Sequence, residues 1–184
     1  MRIITVSGAR SGVGKTTLAL LLIRKLPGYA AIKVTISDLF TSVTDDPATI
    51  SEEGKDTALM KSAGADPVVW VQCPPSELMD SLTYAFNLAG NAAGVLIEGN
   101  SPVRLIKPSL SFFVTGADIS EVKPDAADVL AKADVVVVNV EQETPPDGFE
   151  AVLRAHNRGA VLTTMGWLKK AGEDFWITVR GEKR

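Results

Sequence analysis

The chain has 184 residues, 46% of them hydrophobic and 22% charged, with a formal net charge of −3. That length suits one well-buried domain rather than two full-sized ones, and the acidic balance argues against a basic surface for nucleic acid. One cysteine, Cys73, excludes an internal disulfide, and one histidine, His156, removes histidine-based zinc sets and makes a Ser-His-Asp triad hard to build.

The longest apolar runs, Leu18–Ile23 and Val135–Val138, are too short to span a bilayer. The N-terminus enters a strand with no secretory pattern, so the expected compartment is cytoplasmic, with no membrane association. Arg2–Ser7 is a β-branched run ending at glycine, which predicts a buried strand. A helix follows over Lys15–Leu26 and stops at Pro27-Gly28. Ala30–Ile36 predicts a second strand. Thr35–Ser51, rich in Thr, Ser and Asp, reads as a long loop. Glu52–Gly64 is helical, Pro67–Gln72 a strand and Ser76–Leu88 a helix. Strands follow at Ala93–Glu98 and Leu110–Thr115, then a helix at Pro124–Lys132, a very apolar strand at Asp134–Val140 and a helix at Gly148–Asn157. Ala160–Thr163 and Trp176–Val179 are read as edge strands. Such alternation, with strands apolar on both faces, implies an α/β fold: a mostly parallel sheet covered by helices on both sides. Residues 1–180 are expected to form a single domain and 181–184 a disordered tail.

Residues 9–16, Ala9-Arg10-Ser11-Gly12-Val13-Gly14-Lys15-Thr16, fit the phosphate-loop pattern, with alanine in the first glycine position. Glycines at 12 and 14 let successive N–H groups turn towards phosphate oxygens, and the following helix adds its positive end. The Lys15 ammonium would reach the β- and γ-phosphates of a nucleoside triphosphate, GTP or ATP. The Thr16 hydroxyl would ligate Mg²⁺, and Thr17 would contact the α-phosphate. The motif lies between a predicted strand and a predicted helix, the context its chemistry requires. The run Arg10–Thr16 also lines up with the variant loop of dimerising ATPases related to partition and nitrogenase-iron proteins, where a lysine at the Arg10 position crosses to a partner's phosphates. Arg10 is either such a contact or an exposed loop arginine.

Magnesium in such proteins takes a carboxylate from a strand end, and Glu98, directly after Gly94–Ile97, is the first candidate. Asp38, Asp45 and Asp46 read as solvated turn acids. Asn139 stands where guanine-specific proteins place an Asn-Lys-x-Asp motif, but the lysine and aspartate are lacking, so it offers an approach to the base without specifying it.

From Ser11 to Lys107-Pro108 the chain resembles the MobB family, GTP-binding accessory proteins of molybdopterin guanine dinucleotide biosynthesis. The resemblance rests on Ser11–Leu18, the strand Ala31-Ile32-Lys33, Gly54-Lys55-Asp56-Thr57, Ala63-Gly64-Ala65, Val68–Val71 and Ile97-Glu98-Gly99. It covers roughly residues 1–115. It implies a P-loop NTPase of three layers that binds GTP with Mg²⁺, dimerises, and assists a molybdopterin nucleotidyltransferase, with Lys33, Asp56 and Glu98 lining the site beside Lys15 and Thr16. The chain departs from the family at Val34-Thr35, where histidine is common, and at Asn100, where an aromatic is usual; residues 116–184 extend beyond the match.

Three functions follow. One is a GTP-binding accessory protein with weak intrinsic hydrolysis, because no glutamine or arginine sits in an obvious catalytic signature. Another is an ATP-dependent kinase or ligase of the dethiobiotin-synthetase type, with Lys33 and the 37–51 loop as substrate contacts. The third is a nucleotide-dependent switch that homodimerises through Arg10. Trp70, Trp167 and Trp176 read as packing residues, Cys73 as a buried inert thiol and His156 as a solvated helix residue.

Overall fold

Short β-branched runs bounded by glycine, proline or polar residues set the strands. In the computed structural model, which describes residues 1–181, Arg2–Gly8 forms β1, Lys15–Ile23 α1 and Tyr29–Ile36 β2. The chain continues through β3 (Ser42–Thr44), α2 (Pro47–Ile50), α3 (Asp56–Ser62), β4 (Val68–Cys73), α4 (Leu78–Ala89), β5 (Gly94–Glu98) and α5 (Pro102–Leu105). Then come β6 (Leu110–Thr115), α6 (Ala127–Ala131), β7 (Val135–Val138), α7 (Phe149–His156), β8 (Val161–Thr164), α8 (Met165–Lys170) and α9 (Glu173–Arg180). The fold is α/β with mostly parallel strands, the class the alternation implies. No helix among the described residues is long and apolar enough to cross a membrane.

The chain divides into two compact units, one made of Met1–Val6 and Ala19–Ser109, the other of Ser7–Leu18 and the residues from Leu110 onward. In the first, the strand order is β3-β4-β2-β5-β1. β2 runs parallel to both β4 and β5, and β3 is antiparallel to β4. The register sets Lys33 beside Glu98 on one side and Trp70 on the other. Neighbours in register share a face of the sheet, so Glu98, Lys33 and Trp70 form one row across three strands. The other face is apolar: Ala30, Ile32, Val34, Val69, Val71 and Ile97 pack with Leu78, Leu82, Ala85 and Ala89 of α4. Those four recur at helical spacing on one face of α4, and each buried leucine contributes about 1.5–3 kcal/mol.

The second unit holds the parallel strands β6-β7-β8. Asn157, just past α7, is buried and saturated: its Nδ2 donates to the carbonyls of Leu130 (2.9 Å) and Ala133 (2.8 Å), while its Oδ1 accepts from the N–H groups of Gly159 and Ala160. That amide ties the ends of α6 and α7 to the start of β8.

Several expectations are corrected. Thr35–Ser51 is not one loop: it contains β3, and α2 capped by Asp46, whose carboxylate accepts from the Thr49 N–H at 2.9 Å. The Thr49 backbone and hydroxyl bonds hold Asp46 below the usual carboxylate range. The helix expected from Glu52 begins at Asp56, and α5 and α8 had no counterpart in the sequence reading. Trp176–Val179 is helical, not a strand. The β-branched run suggested extension, yet Gly172 and Gly181 flank α9, acids occupy its first turn and Arg180 its last. Burial of Trp176 and Val179, three residues apart, fits a helix and not the alternation of a strand. The tail expected at Gly181–Arg184 lies outside the described residues except for Gly181, which terminates α9 in the left-handed conformation.

Candidate functional site

The phosphate loop and the Lys33 cluster fall in different units. In the second unit, β1 runs out at Gly8 and α1 starts at Lys15, so the intervening turn carries the motif in the strand–loop–helix setting expected. Ala9 is buried, its N–H donates to the Val114 carbonyl at 2.9 Å and its carbonyl accepts from the Lys123 N–H. Among the described residues none but glycine has a positive φ, so alanine fits the first glycine position. Val13 is also buried, whereas Arg10, Ser11, Gly12 and Thr17 are exposed.

Gly14 is required on two counts. Its φ is +104°, and a methyl group there would lie 2.6 Å from Asn139 Nδ2. That nitrogen donates to the Val13 carbonyl at 3.0 Å. Asn139, expected near the base, therefore braces the loop from the end of β7, a role its position gave no hint of. The Lys15 ammonium bends back into its own loop and donates to the Arg10 carbonyl at 3.0 Å. That bond keeps the ammonium against the loop itself. Thr16 lies beside it in the first turn of α1. Arg10 pairs with Glu121 at 2.9 Å, so the guanidinium has a partner within its own chain. Directly after Asn139, a pocket of about 380 Å³ is lined by Ala117, Val140, Gln142, Thr144, Pro145, Pro146 and Asp147.

In the first unit the structure brings together Lys33, Asp56 and Glu98. The Lys33 ammonium donates to Asp56 Oδ2 and to Glu98 Oε1, both at 2.6 Å. Glu98 is 1% exposed, Lys33 17% and Asp56 40%. Burial pulls the Lys33 ammonium down, but the Glu98 charge and the hydrogen bonds to both carboxylates outweigh it and hold Lys33 above its ordinary value. The two carboxylates thus hold Lys33 as an ion-paired ammonium. Asp56 reaches it because Gly54, at φ +82°, turns the chain immediately before α3. Trp70 donates its indole N–H to Thr35 Oγ1 at 3.1 Å, and the Lys55 ammonium stands 5.8 Å from the centre of its ring. Trp70 is half-buried at the wall of a pocket rather than in the core; Trp176 and Cys73 are buried and His156 is exposed.

No family model matches the chain, and no curated protein does. Among solved structures, it is similar to a nucleotide-binding protein from Archaeoglobus fulgidus in complex with ADP and with Co found, at 13% identity over 95% of this chain and 90% of that one, TM-score 0.47. It is also similar to the MinC:MinD cell division protein complex of Aquifex aeolicus, at 12% identity over 100% of this chain and 79% of that one, TM-score 0.43. At that similarity these likenesses decide nothing about the site, and the chain's own residues carry the functional reading.

Proposed function

We propose that the chain is a P-loop nucleotide-binding protein that takes GTP with Mg²⁺, turns it over slowly on its own, and serves as an accessory factor of the MobB type in molybdopterin guanine dinucleotide synthesis. The observation that carries the nucleotide reading is the loop itself: a turn between β1 and α1, braced by Asn139 on the Val13 carbonyl, with the Lys15 ammonium folded onto the Arg10 carbonyl. A triphosphate offers that ammonium a charge-assisted partner in place of a neutral carbonyl, and charged acceptors win such exchanges.

Hydroxyl and carboxylate oxygens are the donors a hard cation prefers. The Thr16 hydroxyl fits that role, with phosphate oxygens completing the sphere. Glu98 fits less simply, because the Lys33 ammonium occupies its carboxylate at 2.6 Å; a metal role for Glu98 needs Lys33 to lean onto Asp56. When bound, Mg²⁺ neutralises phosphate charge. Lys15 orients the phosphates, and Asn139 keeps the loop open to receive them.

The pocket beyond Asn139 supports guanine over adenine. Proline and valine surfaces suit a flat base, and the Asp147 carboxylate can accept from the N–H edge that guanine presents and adenine does not. Calorimetric titration with GTP and ATP, each with Mg²⁺, tests the reading. GTP binding at least tenfold tighter than ATP is expected, together with GTP-dependent association with a molybdopterin nucleotidyltransferase. Tighter ATP binding, with ADP formation stimulated by a small substrate, would favour the kinase or ligase alternative instead.

A further inference from the structure

In the second unit, the pocket beyond Asn139 takes Val140, Gln142 and Thr144 of its wall from residues 140–144, which form no helix or strand. Pro145 and Pro146 restrict the backbone that follows. The near half is held by a distant part of the chain, the end of β8 and the start of α8. The Gly166 N–H donates to the Val140 carbonyl at 2.9 Å. The Thr164 hydroxyl, fully buried, donates to the Gln142 carbonyl at 2.6 Å and accepts from the Trp167 N–H at 3.1 Å. Those two carbonyls belong to residues that line the pocket, whereas Thr164 and Gly166 do not line it. Only glycine lets the segment lie so close: a methyl group at 166 would fall 1.9 Å from the Glu141 carbonyl oxygen and 2.8 Å from that of Gln142. Lys169 also pairs with Glu141 at 2.7 Å and Lys170 with Glu143 at 2.6 Å. Those side chains are exposed, so their pairs add little. The buried hydroxyl and the glycine make the contact.

An irregular, exposed wall must be ordered when a ligand meets it, and that ordering weakens binding unless it is done beforehand. We infer that Thr164 and Gly166 are positioning residues for the nucleoside: they hold Val140 and Gln142 as a preformed wall, so that the base enters without first ordering the segment. This rests on the reading that the pocket beyond Asn139 takes the base. It gives the β8–α8 connection, which lies outside the part of the chain covered by the family resemblance, a place in nucleotide selection. The phosphates are held elsewhere, by the loop that Asn139 braces at Val13. Loosening the wall should therefore weaken the nucleoside end and spare the phosphate end.

Calorimetric titration of the full chain with GTP and with inorganic tripolyphosphate, each with Mg²⁺, separates the two ends. The parent should bind GTP at least about tenfold more tightly than tripolyphosphate, because only GTP buries a base. Thr164→Val keeps the shape and removes the hydroxyl. It should weaken GTP at least about fivefold and leave tripolyphosphate within about twofold, counted per folded molecule from urea unfolding. Thr164→Ser, which retains the hydroxyl, should bring GTP back to within about twofold of the parent. Gly166→Ala must push the segment away and should weaken GTP more than about tenfold. A measurement on the parent alone needs no variant to fold: without nucleotide, the Gly166 amide should already exchange its hydrogen at least about a hundredfold more slowly than in an unfolded chain. If tripolyphosphate binds the parent as tightly as GTP, the base reading of the pocket fails and this inference with it. If the parent prefers GTP but Thr164→Val keeps that preference, or loses both ligands equally, the inference alone is overturned. A Gly166 amide that exchanges freely without nucleotide would overturn it as well.

Discussion

Replacing Lys33 with methionine would keep most of the aliphatic stem and delete the ammonium that stands 2.6 Å from both Asp56 and Glu98. Asp56 is 40% exposed, so water screens its half of the cluster and the loss there is about 1 kcal/mol or less. Glu98 is 1% exposed and would be left as a buried carboxylate without its cation. Breaking a buried pair on one side costs about 3–5 kcal/mol. Because Lys33 itself keeps some exposure, the lower end applies, about 3 kcal/mol at pH 7. Urea unfolding followed by circular dichroism measures it directly. The pH dependence is a second check. At the alkaline end the sign belongs to the parent. Lys33 is held above its ordinary value when folded, so its contribution persists through neutral pH and fades only as pH rises past about 10.5; the variant lacks that alkaline loss. Lys33→Met/Glu98→Gln should return to within about 1 kcal/mol of the parent. A single variant within about 0.5 kcal/mol of the parent at pH 7 would refute the cluster's role.

Gly14→Ala combines an unfavourable φ with a clash against Asn139, and should lower triphosphate affinity more than tenfold in an equilibrium titration. Asn139→Ala, which only removes the brace on Val13, should cost about 1 kcal/mol of stability and a smaller loss of affinity. Asn157→Ala deletes four hydrogen bonds from a buried amide and should destabilise by about 3–4 kcal/mol in urea, with nucleotide affinity per folded molecule unchanged. Arg10→Ala breaks an exposed pair with Glu121 and should shift stability by less than about 1 kcal/mol. If Arg10 reaches a second copy's phosphates, the same variant would abolish nucleotide-dependent dimerisation in light scattering.

The strands and the phosphate loop were legible because each has a local cause: β-branched runs for β1, β2, β5, β6 and β7, and glycines with lysine and threonine for the loop. The cluster of Lys33, Asp56 and Glu98 came from the family resemblance, since nothing local in three separated segments announces that parallel register will bring them together. Asn139 and Asn157 carry long-range amide bonds that no spacing rule reveals. α9 was misread because Trp176-Ile177-Thr178-Val179 has strand propensity, and tertiary burial of one helical face overrode it. β3 was missed for the opposite reason: it is only three residues long, and its pairing with β4, rather than its own composition, makes it a strand. The hold of Thr164 and Gly166 on the segment after Asn139 could not be anticipated at all, because contacts of that kind are a property of the packed structure alone.

The claim that Ala9–Thr16 holds a triphosphate is tested most directly by titrating GTP with Mg²⁺ into the parent and into Lys15→Ala, with urea unfolding to show that both are folded. Losing the charge-assisted contact of one ammonium is worth about 1.5–3 kcal/mol, so the variant should bind roughly ten- to a hundredfold more weakly. Equal affinity in a folded Lys15→Ala protein would contradict the account.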